Sequence, residues 1–410
     1  MTTEQDRANA KRALLSLLSS ASPQPVELDR GGWDALRHIA QQHLLAPLLY
    51  HQIRENGHTA SIPEAIWQFL SEEYRATAIR ALLLQSTLHR IDTVLQAHGI
   101  VYAALKGSRL ASHAYPHAAL RPMRDIDILV GPDEAVRAQR LLLENGFRRF
   151  ANENRPDDLV LQYHKHLAPL EDAEAGTRVE IHARLFETGL TGNQDATLMQ
   201  ADALLSRRVV QTLPHMAPSV LPAEEALAHC VVHAMYDSRF TCGPIVLSDV
   251  RYLVASEDVD WPRFWALVDE GGWTAGAALA FRLAEKLHGS QPIEWSACSH
   301  QSVPEGIVDS FALALMADLS GKRDLFIQTD AEARGTRASL SHISGLLIPA
   351  KHQLKDFGRT ASDSPLVWLY YPAWLVSRLI RHIASRANRR LQSDIAAVGE
   401  VAGWLHSKGG

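Results

Sequence analysis

Two aspartates, Asp125 and Asp127, stand two residues apart inside the apolar run Asp125-Ile126-Asp127-Ile128-Leu129-Val130. Ile126, Ile128 and Val130 favour a strand, and its period of two sends both carboxylates to the opposite face. Like charges side by side on a strand repel each other unless a cation sits between them, so the spacing asks for a divalent metal. A surface strand or turn is the plainer reading of an isolated Asp-x-Asp, but the apolar flanks here make a solvated face less natural. Farther along, Arg178-Val179-Glu180-Ile181-His182 alternates in the same way and offers a carboxylate and an imidazole on one face of a second strand. Glu180 taken alone would be a surface salt-bridge partner.

Upstream of the aspartates, Lys106-Gly107-Ser108 separates a strand-like run, Ile100 to Leu105, from a short helix expected over Arg109 to Tyr115. Backbone N–H groups at such a junction can hold phosphate oxygens, with Gly107 allowing close approach, Ser108 donating and Lys106 adding charge. The triplet by itself is more often only a turn; the two-carboxylate strand that follows is what favours the phosphate reading. If a strand runs from Tyr163 to Leu170, His164 and His166 share one face and can line a cleft with His182; packing within the sheet is the alternative. His229-Cys230-Val231-Val232-His233 sets two imidazoles one helical turn apart, a zinc-compatible spacing. It lacks the glutamate of His-Glu-x-x-His, so His233 and the later Asp249 are expected to be contacts between helices or to reach across to the cleft.

The elements that must position these groups are helical on both sides. Apolar residues at Leu14, Leu17 and Leu18, then at Trp33, Leu36 and Ile39, mark packing helices, and Pro63 starts another. Ile79 to His98 reads as a longer helix with a stripe of Leu82, Leu83, Leu88, Ile91 and Leu95, closed by Gly99. After the Asp125 strand comes a helix over Pro132 to Asn145, and a strand over Thr177 to Leu185. Helices then begin near Pro222, Asp260 and Trp273, with a further one around Ile307 to Leu319. Residues 321–364 interrupt the periodicity, and Pro365 to Arg390 combines aromatic residues with Arg378, Arg381, Arg386, Arg389 and Arg390.

The 410 residues suffice for two or three compact units, and 46% hydrophobic with 21% charged residues is a globular composition. Three scattered cysteines, without a Cys-x-x-Cys pair, argue against a disulfide framework and fit a reducing compartment. The first residues lack the layout of a signal peptide and no apolar run is long enough to span a bilayer, so a cytoplasmic location is expected. A net charge of -5 gives no global attraction to nucleic acid.

Leu105-Lys106-Gly107, Arg121 ahead of Asp125-Ile126-Asp127-Ile128-Leu129-Val130, Gly146-Phe147 and Val179-Glu180-Ile181-His182 occur in that order. The set resembles a bacterial branch of largely uncharacterised nucleotidyltransferases within the DNA polymerase beta-like superfamily; Ala183 stands where such proteins often carry Trp. The resemblance implies an α+β fold: a small mixed-sheet nucleotidyltransferase core over residues 99–187, flanked by N-terminal (1–98) and C-terminal (188–410) helical regions. It also implies metal-dependent transfer of a nucleoside monophosphate from an NTP, ATP first, with pyrophosphate release. Asp125 and Asp127 would hold Mg²⁺ or Mn²⁺ on the triphosphate, and Glu180 would complete the acceptor-side metal site and assist deprotonation. Lys106, Gly107, Ser108, Arg121 and Arg124 would bind the triphosphate, with His164, His166, His182 and His233 towards the acceptor. A small molecule or peptide is the expected acceptor. The alternatives are a toxin-like transferase acting on tRNA or protein, for which the basic C-terminal helix would be the relevant feature, and an inactive nucleotide-binding regulator. That helix could touch a partner or membrane surface, although docking on the body with its arginines solvated is the plainer reading. Nucleic acid is not favoured.

Overall fold

The computed structural model describes residues 2–19, 26–150, 164–186, 199–210, 218–299, 302–318, 365–377 and 389–408, with Asp157, Val160, Leu161 and Leu354. The chain divides into two compact units, Met1–Met316 with Lys408–Gly410, and Ala317–Ser407.

The first unit is built on a seven-stranded mixed sheet: β1 (Tyr102–Ala104), β2 (Asp125–Val130), β3 (Phe147–Arg149), β4 (Leu170–Asp172), β5 (Arg178–His182), β6 (Val209–Val210) and β7 (Ser219–Val220). Their spatial order is β3-β4-β5-β2-β1-β7-β6. β2 runs parallel to β5 and antiparallel to β1, and β1 runs parallel to β7. The alternation in β2 and β5 works as the sequence predicts: Ile126, Ile128, Val130, Val179 and Ile181 are all buried in one apolar core. That core is completed by Leu84, Leu88, Ile91 and Leu95 of one helix and Leu141 and Leu142 of another. Each such side chain contributes about 1.5–3 kcal/mol on burial, which fixes which face of the sheet is left for polar groups.

The helices before the sheet are α1 (Glu4–Leu18), α2 (Arg30–Gln42), α3 (Ala46–Glu55) and α4 (Glu64–Ala97). The α4 helix is one unbroken element of 34 residues, where two were expected. No Gly or Pro occurs between Glu64 and Ala97, so nothing stops propagation. Its core stripe includes Leu84, while Leu82 and Leu83 are exposed, which corrects the expected stripe by a shift in helical phase. Two buried acids tie α4 to the sheet. Asp172 accepts from Thr87 Oγ1 at 2.9 Å and Arg90 Nη1 at 2.6 Å, and Asp92 accepts from Tyr102 OH at 2.8 Å.

Three further expectations need correction. The helix after β1 is α5 (Lys106–His113), so the Lys-Gly-Ser triplet forms its first turn and does not precede it. The strand expected over Tyr163 to Leu170 is β4, which begins at Leu170; His166 makes only an isolated bridge to His182, and His164 lies outside any strand. Neither β3 nor the β6–β7 pair was anticipated, and the sheet thereby draws a strand from as far as Ser219–Val220.

After α6 (Ala135–Glu144) and the short α7 (Ala201–Ser206), the helical run is α8 (Ala223–Val232), α9 (Ile245–Ser256), α10 (Trp261–Glu270), α11 (Thr274–His288) and α12 (Glu305–Ala314). Pro222 and Trp273 precede their helices as expected, and Asp260 caps α10 by accepting from the Arg263 N–H at 3.0 Å. The Ile307 to Leu319 expectation lies slightly late relative to α12. In the second unit, a 3₁₀ turn (Pro365–Tyr370) precedes α13 (Arg389–Lys408), and Trp374 packs on Leu354. Arg378, Arg381 and Arg386 lie outside the described residues, as does 321–353, so the basic face expected there is not described. Among the described residues no helix is long and apolar enough to cross a membrane.

Removing the Asp172 carboxylate leaves Thr87 and Arg90 without their buried acceptor. Asp172→Ala should therefore cost about 2–4 kcal/mol, measured by urea unfolding, with Asp172→Asn losing less because it still accepts from Thr87.

Candidate functional site

The parallel register of β2 and β5 sets Asp127 opposite Glu180 and Asp125 opposite Arg178. Because these strands share an apolar underside, their other face carries Asp125, Asp127, Glu180 and His182 together. His182 Nε2 lies 2.8 Å from Asp127 Oδ1 and 3.8 Å from Glu180 Oε2. Asp127, Glu180 and His182 each offer a ligand atom, all within 4.8 Å of one another. Glu180 is further held by Arg178 Nη2 at 2.7 Å and by His166 Nε2 at 3.5 Å. Two carboxylates with an imidazole, and a third carboxylate one strand step away, form a donor set suited to a divalent cation.

Lys106 supplies the opposing charge, with Nζ 3.2 Å from Asp127 Oδ2. Its φ of 45° is left-handed, a conformation that costs a non-glycine residue about 1–3 kcal/mol and that clusters at functional sites. The strain turns the chain from β1 into α5 while the Leu105 N–H still donates to Asp127 O at 3.0 Å. Gly107 leaves room for Met123: a Cβ would sit 2.6 Å from Met123 Cγ and 2.8 Å from its Sδ, so the thioether would have to move. Ser108 is buried, and its Oγ has no hydrogen-bond partner among the described residues. An orphan hydroxyl in the first turn of α5 is placed as a donor to a phosphate oxygen would be.

The two aspartates differ in acidity. Burial, reinforced by the charges of Asp127 and Glu180 and only partly offset by Lys106, pushes Asp125 up to about 6. Burial opposes ionisation of Asp127 too, but Lys106 and then His182 outweigh it and hold that carboxyl well below the usual range. His182, fully buried, is pushed down by burial although Asp127 pulls it up. Lys106 stays a cation, since Asp127, Asp125 and Glu180 together outweigh its burial.

Other expected residues are placed differently. Arg121 is locked to Asp249 of α9 by Nε–Oδ1 at 2.7 Å and Nη2–Oδ2 at 3.0 Å, and Tyr115 OH donates to the same carboxylate at 2.6 Å. Arg121 thus joins the sheet unit to the helices and has its charge neutralised there, while Nη1 stays within 3.6 Å of the space above Gly107. Arg124 is exposed and has no ion-pair partner among the described residues, Asp125 included. The His229/His233 pair belongs to no group of three or more metal-ligating side chains among the described residues; the ring centroids are 6.2 Å apart, His229 is buried edge-on to Phe186, and His233 Nδ1 is 2.7 Å from Asp237 Oδ2. Asp237 also pairs with Lys165. Sequence reasoning missed both residues; the only signal was Asp237 four positions after His233, one helical turn on.

A family model described as "Uncharacterised nucleotidyltransferase" matches residues 29–289, and the chain belongs to that family. The match reaches beyond the sheet into helices on both sides, from α2 to α11. No curated protein matches the chain.

A carboxyl whose folded pKa is raised contributes stability at low pH and loses that contribution as pH rises through the folded value. In EDTA at about pH 7.5, Asp125→Asn should melt above the wild type, and the gap should close as pH falls through about 6 towards the normal carboxylate range. Differential scanning calorimetry checks this; a pH-independent gap would contradict the electrostatic reading of Asp125.

Proposed function

We propose that the protein transfers a nucleoside monophosphate from an NTP, ATP first, to an acceptor and releases pyrophosphate, in the manner of the DNA polymerase beta-like superfamily. The observation that carries this is the register of Asp127 against Glu180, with the cationic Lys106 and the orphan Ser108 hydroxyl at the adjoining helix start. Asp125, Asp127 and Glu180 would hold Mg²⁺ or Mn²⁺, with His182 beside them. A bound divalent cation supplies charge neutralisation at the phosphates and polarises the phosphorus under attack.

The chain's own groups do the rest. Ser108 Oγ and the first-turn N–H groups of α5 hold the triphosphate, and Lys106 neutralises a non-bridging oxygen. The acceptor attacks the α-phosphorus in line, the bond to the β-phosphate breaks, and the electron pair leaves with pyrophosphate. Retention of all three carboxylates, two of them buried, favours transfer over a nucleotide-binding role without chemistry. A small molecule or peptide remains the preferred acceptor class, in a cytoplasmic bacterial setting. In this reading the catalytic core spans 99–187 between helical regions 1–98 and 188–410, and β6 and β7 extend its sheet from beyond residue 187.

The test is pyrophosphate release from each NTP with Mg²⁺ or Mn²⁺ and a metabolite extract as acceptor. Asp125→Ala and Asp127→Ala should each lower release by at least about 100-fold while the proteins stay folded. Turnover like the wild type in either variant would remove the proposed metal site.

A further inference from the structure

The helical side of the unit carries a second set of polar groups that the metal and phosphate reading leaves unused. His233 to Asp237 form a π-helical segment directly after α8. Such segments are rare and are found preferentially at functional sites. Two non-glycine residues in left-handed conformation follow at once, Arg239 at φ 46° and Phe240 at φ 70°. The wider turn stacks His233 over Asp237, whose Oδ2 accepts at 2.7 Å from Nδ1 and also pairs with the Lys165 ammonium. All three are largely buried, the His233 side chain being 24% exposed and Nδ1 turned to Asp237, which leaves Nε2 as its other ring nitrogen.

Lys165 pins this segment to the catalytic strands. Its carbonyl accepts from the Ala183 N–H at 2.9 Å, just past β5, and its neighbour His166 bridges His182 and lies 3.5 Å from Glu180. Burial first, and then the charge of Lys106, pushes His233 down to about 4, so the ring is neutral. A neutral ring with Nδ1–H donated to Asp237 has its lone pair on Nε2. Glu180, the other candidate base, has one oxygen held by Arg178 at 2.7 Å and the other facing His166 at 3.5 Å, which leaves it a ligand more than a proton acceptor.

We infer that His233 Nε2 takes the proton from the attacking group of the acceptor, with Asp237 and Lys165 as positioning residues, and that the acceptor is an alcohol. This rests on the transfer reading above. The acceptor R–OH forms the new O–P bond, its proton passes to Nε2, and the α–β P–O bond breaks with its electron pair leaving on pyrophosphate. The proton is afterwards released to solvent.

Two nucleophiles separate the roles: glycerol, whose hydroxyl must lose a proton, and azide, which has none to lose. With ATP and Mn²⁺, His233→Gln should lower glycerol transfer by about 100-fold while azide transfer persists and ATP still raises the melting temperature. Asp237→Asn should lose less on glycerol and also retain azide. Equal loss on both nucleophiles, or no loss on glycerol, overturns the role of His233 and leaves the transfer reading standing. A wild type that takes azide but not glycerol also overturns it. A wild type that releases no pyrophosphate with glycerol, azide or water overturns the transfer reading and this inference with it.

Discussion

The parallel pairing of β2 with β5 is the constraint on which the rest of the structure depends. Its register sets Ile126 beside Val179 and Ile128 beside Ile181 on the core side, and Asp127 beside Glu180 on the other. A slip of one residue would bury carboxylates under α4 and expose the apolar row, so the hydrophobic effect itself holds two repelling acids together. The electrostatic cost of that arrangement shows in the raised Asp125 and is balanced in part by Lys106 and His182. A cation between the strands would relieve the remainder.

Charged links then fix the helices around this pair. Arg121 and Tyr115 share Asp249 of α9, and the buried Arg109 of α5 grips Glu257 at 2.8 and 2.6 Å. Lys165 joins the end of β5 to the π-helical turn through Asp237. Each of these joins a residue beside the start of α5 or the strand acids to an element more than seventy positions later. Breaking one leaves a buried or half-buried charge unpaired, which is costly, so the links hold these elements in one geometry.

Much of this was legible because it follows short-range rules. The period of two in β2 and β5, the starts at Pro222 and Asp260 and the order of the motifs were all readable. What escaped the sequence depends on partners far along the chain. β6 and β7 are two residues each, too short to show a period, and β4, Leu170-Glu171-Asp172, owes its pairing to its neighbours and not to apolar content. The Lys-Gly-Ser triplet read as a turn because nothing local reveals that Lys106 adopts a left-handed φ to begin the helix. Arg121 read as a free phosphate ligand because its buried partner Asp249 is 128 residues away.

The central claim is that Asp125, Asp127 and Glu180 hold a divalent ion between β2 and β5. Anomalous scattering at the manganese edge, from crystals grown with Mn²⁺ and a non-hydrolysable ATP analogue, locates such an ion directly. A peak between Asp127 and Glu180, with the analogue's phosphates over Ser108, is the expected result. A peak elsewhere, or phosphates bound with no ion at these carboxylates, would contradict it.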